Sequence, residues 1–293
     1  MQILDVDGYF NWLKFCWVPK HTISYRILGA HHCETVVCAH SSTTNFHEFD
    51  YLANVLSSRY RVILFDFAGR GASSWLPLSK HYHYYVYIRD SLFLLKKLSC
   101  TKVHWIGTSM GGIVGMILAA CFPKKILSLL LNDIGPEIPK RFLGKMKQYI
   151  DLDLKFKNLQ QVIDYGKVAY SRLGISNEEH WEYFSKHIVK KDKDSSLYVL
   201  KYDPKITNDI RNSKKSDKIS LWFWWNRVKC PVLLISGSES EVLLPQTIEK
   251  MRLCKHRFEE YKIFGAGHFP ILFNKDHINR VLQWIDSQNS KKT

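Results

Sequence analysis

The chain has 293 residues, 46% of them hydrophobic and 14% aromatic, with a formal net charge of +15. That composition excludes a disordered chain, and no run reaches the roughly 20 apolar residues that a membrane span needs. The positive charge is spread along the chain, denser over 136–229, and without an unbroken basic run or a nucleic-acid motif. No nucleic-acid partner is expected, and attraction of anionic small molecules is the use left for the charge.

In chain order, "MQILDVDGYF" is acidic where a secretory signal would be basic. "TISYRIL" (22–28) alternates like a strand, and His31 and His32 read as turn residues. "TVVCAH" (35–40) and "RVILFDF" (61–67) are β-branched and apolar, like buried strands, with a helical spacing in "FHEFDYLANVLSS" between them. "YVYIRDSLFLLKKL" (85–98) is an amphipathic helix, "KVHWIG" (102–107) a strand, and "MGGIVGMILAACF" (110–122) an apolar helix. "KILSLLLND" (125–133) is the next strand. The alternation then stops. Residues 136–229 are polar, Lys-rich and helical in spacing, with no convincing buried strand. "CPVLLISG" (230–237) restarts the pattern, followed by a helix at 245–254, a strand at 257–265 and a helix at 277–288.

Strands alternating with helices predict an α/β class with a mostly parallel central sheet covered on both faces. The expected organisation is a core of residues 1–135 and 230–293 interrupted by a helical insertion, 136–229. The seven cysteines are odd in number, scattered, and form no C-x-x-C pair. Together with the absence of a basic leader, they predict reduced thiols in a soluble, cytoplasmic protein.

Between a strand and a helix lies "WIGTSMGG", in which Gly107-Thr108-Ser109-Met110-Gly111 is G-x-S-x-G. A serine at that turn is exposed above the sheet edge on a strained backbone, and flanking glycines remove side chains that would collide. The helix that follows offers free N–H groups, so the Met110 amide is placed to hold an oxyanion. Serine needs a base. Among thirteen histidines, His268 in "FGAGHFP" stands out, because it follows the last strand on a Gly-flanked loop. His40 closes a strand and reads as a packing or loop-bonding residue. His81 and His83 form an H-x-H without a third ligand nearby, so no metal site is expected.

The stretches "VVCAHSSTTNFHEFDYLA", "FDFAGRGASSWL", "HWIGTSMGGIVGMILA", "LLLNDIGPEI", "CPVLLISGSESEVL" and "FGAGHFPIL" together resemble the α/β-hydrolase superfamily, in particular its compact bacterial group with a helical lid. The resemblance covers nearly the whole chain. It implies the α/β-hydrolase fold, a lid at 136–229, and a Ser109–His268–acid triad needing no cofactor. It puts the acid after "PVLLIS", where relatives carry aspartate and this chain offers Glu241 and Glu239. Glu241 is preferred, with Glu239 and Asp133 as alternatives. Trp222, Phe223, Trp224 and Trp225 either line the acyl pocket or pack at the hinge.

Relatives usually have His-Gly after the third strand, whereas this chain has His40-Ser41-Ser42. Ser42 N–H would be the second oxyanion donor beside Met110. A left-handed backbone at Ser41 would cost about 1 kcal/mol or more, and a lost donor costs roughly 100- to 1000-fold in rate. The expected activity is hydrolysis of an ester-like carbonyl in a small acyl substrate through an acyl-enzyme on Ser109. The alternatives are C–C bond, lactone or thioester hydrolysis in the same frame, or a ligand-binding protein that has lost turnover. Arg70 is a candidate substrate contact. Oligomeric state and acyl chain length are left open.

Overall fold

The computed structural model describes residues 1–11, 16–150, 154–207, 218–254 and 257–289, with the side chains of 146–150, 207 and 218 outside the description. Strands β1 (Gln2–Val6), β2 (Tyr9–Asn11), β3 (Cys16–Val18) and β4 (His21–Leu28) open the chain, β2 and β3 as a separate hairpin. The core continues with β5 (Thr35–Ala39), a 3-10 turn Phe46–Phe49 running into α1 (Asp50–Leu56), β6 (Arg61–Phe65), α2 (Tyr84–Lys97), β7 (Val103–Thr108), α3 (Met110–Cys121) and β8 (Ile126–Asn132).

Among the described residues the central sheet has eight strands. Two antiparallel strands, β1 and β4, lead into the parallel run β6-β5-β7-β8. After the insertion, β14 (Val232–Gly237) and β15 (Phe258–Ile263) add to that run beside β8. Two helices follow them, Pro245–Leu253 and Lys275–Asn289.

The strands are parallel because helices cover both faces. β5, β7 and β14 are buried at every position, which is why they read as unbroken apolar runs. One face packs Trp105 and Phe65 against Ile113 and Val114 of α3. The other packs Val36, Leu64 and Leu233 against Leu52 of α1 and Trp284 of the last helix. Each such side chain contributes about 1.5–3 kcal/mol on burial. Since β5, β7, β8 and β14 are neighbours, the loops at their carboxyl ends converge on one edge.

Residues 136–229, read in the sequence as helical with no convincing buried strand, hold short strands that are mostly half-buried or exposed as well as helices. They hold α4 (Lys140–Ile150), α5 (Leu159–Ala169), α6 (Glu178–Ile188) and the four-residue α7 (Trp222–Trp225). Among the described residues they also hold five strands of two or three residues: β9 (Glu137–Pro139), β10 (Lys155–Phe156), β11 (Val189–Lys191), β12 (Tyr198–Leu200) and β13 (Lys218–Ser220). Among the described residues these pair with one another, β10-β12-β11 and β13-β9, and none joins the central sheet. Strands this short carry no usable period. β1 was also missed in the sequence: on the sheet edge only Val6 of its five residues is buried. Among the described residues no helix is long and apolar enough to cross a membrane.

Candidate active site

Ser109 sits at the turn from β7 into α3 with φ 47° and ψ −109°. This is a left-handed backbone that a serine adopts only when its surroundings impose it. Both glycines of the motif are sterically required. A Cβ on Gly111 would come within 2.0 Å of the Ala39 carbonyl oxygen at the end of β5, and one on Gly107 within 2.4 Å of the Gly111 backbone. The Ser109 N–H donates to Asn132 O at 3.1 Å, which ties the turn to β8.

His268 reaches this serine from the loop after β15. Ser109 Oγ lies 2.9 Å from Nε2. On the other side Nδ1 lies 3.0 Å from Asp133 Oδ2. Asp133 is fully buried at the end of β8, itself left-handed at φ 50°. Its carboxylate also accepts the Gly237 N–H at 2.9 Å and the Ser240 hydroxyl at 2.6 Å. A carboxylate surrounded by donors is acceptor-only, so the imidazole carries its proton on Nδ1 and leaves Nε2 free to accept from Ser109. Asn132 Nδ2 holds the Pro270 carbonyl at 2.9 Å, fixing the same loop to β8. The Phe142 ring of α4 meets the His268 ring edge-on, centroids 4.9 Å apart.

The carboxylate beside the imidazole is therefore Asp133, and neither glutamate takes that place. Glu241 turns to the insertion, where Lys145 Nζ contacts both its oxygens at 2.6 and 2.7 Å and Arg141 and Arg172 stand at 3.4 and 3.7 Å. The Lys145 hydrogen bond, chiefly, holds the Glu241 carboxyl below its usual range. Glu239 uses its backbone, donating to Ala266 O at 2.8 Å. The reason lies in the strand order. β8 lies between β7 and β14, so its last residues adjoin the serine turn directly.

The loop after β5 also corrects an expectation. Ser41 is not left-handed, so serine carries no backbone penalty there. His40, fully buried, lies 2.6 Å from the Ser41 carbonyl through Nδ1 and accepts the Phe67 N–H on Nε2 at 3.0 Å. Burial pushes its pKa down to about 3, in keeping with a neutral ring. In a planar trans peptide the N–H points opposite to its C=O. With the Ser41 carbonyl held by His40, the Ser42 N–H points away from His40.

Arg70 is 3% exposed, not a surface contact. Its Nε donates to Ser42 O at 2.9 Å, Nη1 to Ala68 O at 2.9 Å and to the Tyr87 hydroxyl at 2.6 Å, and Nη2 approaches Met110 Sδ at 3.5 Å. It thus links the two residues expected to supply oxyanion donors, a role no local sequence signal announced.

A cavity of about 260 Å³ lies between the sheet edge and the insertion, with Ser42, Ser109 and His268 on one side and Phe142, Tyr165 and Tyr170 on the other. None of residues 222–225 lines it. Trp225 is buried against Phe258, and Trp222 Nε1 donates to Glu137 at 3.2 Å, so these two pack at the base of the insertion while Phe223 is exposed. His83 caps α2 by accepting the Tyr85 N–H. Among the described residues, His47, Asp50 and His187 bring ligand-type atoms within 4.8 Å of one another. The Asp50 carboxylate there is already shared by His47, Arg26 and Tyr183.

Comparisons with known proteins bear on the family and the fold. The family model described as the alpha/beta hydrolase fold matches residues 34–275. A 3-hydroxybutyrate-oligomer hydrolase of Cupriavidus necator is 32% identical over 241 residues, covering 80% of this chain and 82% of that protein. A serine hydrolase-like protein of Danio rerio is 27% identical over 168 residues, 55% of this chain and 51% of that one. A solved structure from Rickettsia typhi is 36% identical, with a TM-score of 0.92 over 98% of this chain and 99% of its own. On the matched family model and these relatives, the chain belongs to the α/β-hydrolase family.

Proposed function

We propose that this protein is a serine hydrolase that cleaves an ester bond in a short hydroxy-acid ester, forming an acyl-enzyme on Ser109. The observation that carries the reading is the continuous Ser109–His268–Asp133 chain, with links of 2.9 and 3.0 Å. The substrate class is taken from the Cupriavidus relative, named for 3-hydroxybutyrate oligomers.

In this scheme Nε2 of His268 accepts the Ser109 proton as Oγ attacks the carbonyl carbon. The carbonyl oxygen becomes an oxyanion held by the Ser42 and Met110 N–H groups. The C–O bond breaks, and the leaving alkoxide takes the proton from His268. Water then attacks the acyl group, giving its proton to His268, and Ser109 departs with that proton. Asp133 holds the ring by Nδ1–H and stabilises the imidazolium. Residues 136–229 act as a cap that closes the cavity over the substrate.

A fluorophosphonate probe with peptide mapping tests the scheme. Labelling is expected at Ser109 alone and absent in Ser109→Ala, with hydrolysis lost by about 10⁴-fold or more. Full activity in Ser109→Ala would sink it. A panel of esters, thioesters and lactones distinguishes the reaction types open to the same triad.

A further inference from the structure

Three cations of the insertion meet one carboxylate beside the catalytic chain. Lys145 contacts both Glu241 oxygens closely, at 2.6 and 2.7 Å. The two guanidinium groups stand off, Arg141 at 3.4 Å and Arg172 at 3.7 Å. Arg172 otherwise reaches only the Glu239 carbonyl, at 3.5 Å, among its described hydrogen bonds. A guanidinium has five N–H donors in a planar fork, so both arginines keep donors for a second carboxylate. Even counting Glu239, which lines the same cavity, three cations oppose two carboxylates.

The cluster is tied to the reacting atoms. Lys145 follows Phe142, whose ring meets His268, by three residues of α4, which is about 5 Å along the helix. The Arg172 carbonyl accepts the N–H of Gly267, the residue before His268, at 2.7 Å. Lys145, Arg172 and Glu241 all line the cavity that holds Ser109. Side-chain exposures of 78% for Arg141 and 56% for Arg172 mean that their bonds to Glu241 are weak and cheap to rearrange.

We propose that Arg172 and Lys145 on the cavity wall, with Arg141 beside them on Glu241, form a subsite for a free carboxylate on the substrate, a few bonds from the scissile ester, and that Glu241 preorients the three cations. Resting on the hydrolase reading above, this subsite makes the preferred substrate a short ester that carries its own carboxylate.

The test uses the 3-hydroxybutyrate dimer and its isosteric terminal carboxamide, with hydrolysis followed at low and high salt. The acid is expected to be at least about tenfold better in kcat/KM, mainly through KM, with the preference shrinking in high salt. In Arg141→Met/Arg172→Met the acid-to-amide ratio is expected to fall towards one. A ratio near one in the unaltered protein, or an unchanged ratio in the double variant, overturns the subsite. If neither dimer is cleaved while the fluorophosphonate still labels Ser109, the subsite falls and the hydrolase reading stands. If Ser109 is also unlabelled, the hydrolase reading fails first.

Discussion

The two sides of the cavity are built on opposite principles. The sheet edge is buried, short-bonded and strained: Ser109, Asp133 and the Phe269 that follows His268 all hold left-handed backbones. Asp133 is 0% exposed, with two donors besides His268. The side from the insertion combines the rings of Phe142, Tyr165 and Tyr170 with solvated ion pairs to Glu241, close for Lys145 at 2.6 Å and standing off at 3.4 and 3.7 Å for the exposed Arg141 and Arg172. Rigid geometry near a nucleophile removes reorganisation during the reaction. Solvated charge on a movable wall can instead be exchanged for a ligand's charge at little cost. On the function proposed above, the contrast would put chemistry at the sheet edge and selectivity in the insertion.

The largest effect expected separates the two candidate acids. Asp133→Asn should lower kcat about 10³- to 10⁴-fold with little change in KM, because an amide cannot hold the same imidazole tautomer. Glu241→Gln should change kcat less than about tenfold and act on KM for carboxylate-bearing substrates. The reverse ranking in steady-state kinetics would erase the division.

A smaller effect is expected behind the sheet edge. Arg70→Met removes the bonds to the Ser42 carbonyl and the contact with Met110. It should lower kcat roughly 10- to 100-fold with KM nearly constant, partly restored by Arg70→Lys. Equal losses in kcat and in thermal stability, without rescue by lysine, would reduce Arg70 to a packing role.

The smallest effect concerns stability. Glu48 is buried under the loop after β5, bonded by the Thr44 hydroxyl and by the Ser41 N–H at 3.3 Å. Burial raises its pKa from 4.5 to about 7. The folded protein then holds this proton across a window where the unfolded chain has released it, so this group's contribution to stability falls as pH rises from about 4.5 to about 7. Glu48→Gln should abolish that decline, on the order of 1–3 kcal/mol, in urea unfolding at pH 5 and pH 8. An unchanged pH slope would show that another group carries it.

Much of the core was readable residue by residue. Runs such as "TVVCA" and "VLLISG" are apolar on both faces because helices cover both faces, and a run of that kind has no competing reading beside Gly-punctuated turns. The serine turn was readable for a similar local reason. Gly107 and Gly111 face backbone within 2.4 Å, so any other residue there would clash, and the motif advertises its own geometry. His268 followed from its place after the last core strand. The carboxylate did not, because an acid at the end of β8 and acids after β14 look alike as a string. What separates Asp133 from Glu241 is that the fold lays β8 against β7 and lets the insertion bring Lys145, Arg141 and Arg172 to Glu241. Those residues lie 69 to 100 positions from Glu241 along the chain. Local backbone chemistry is written in neighbouring residues. The partner of a charge depends on which distant segments the sheet order and the insertion bring within about 4 Å, and no short stretch of sequence carries that information.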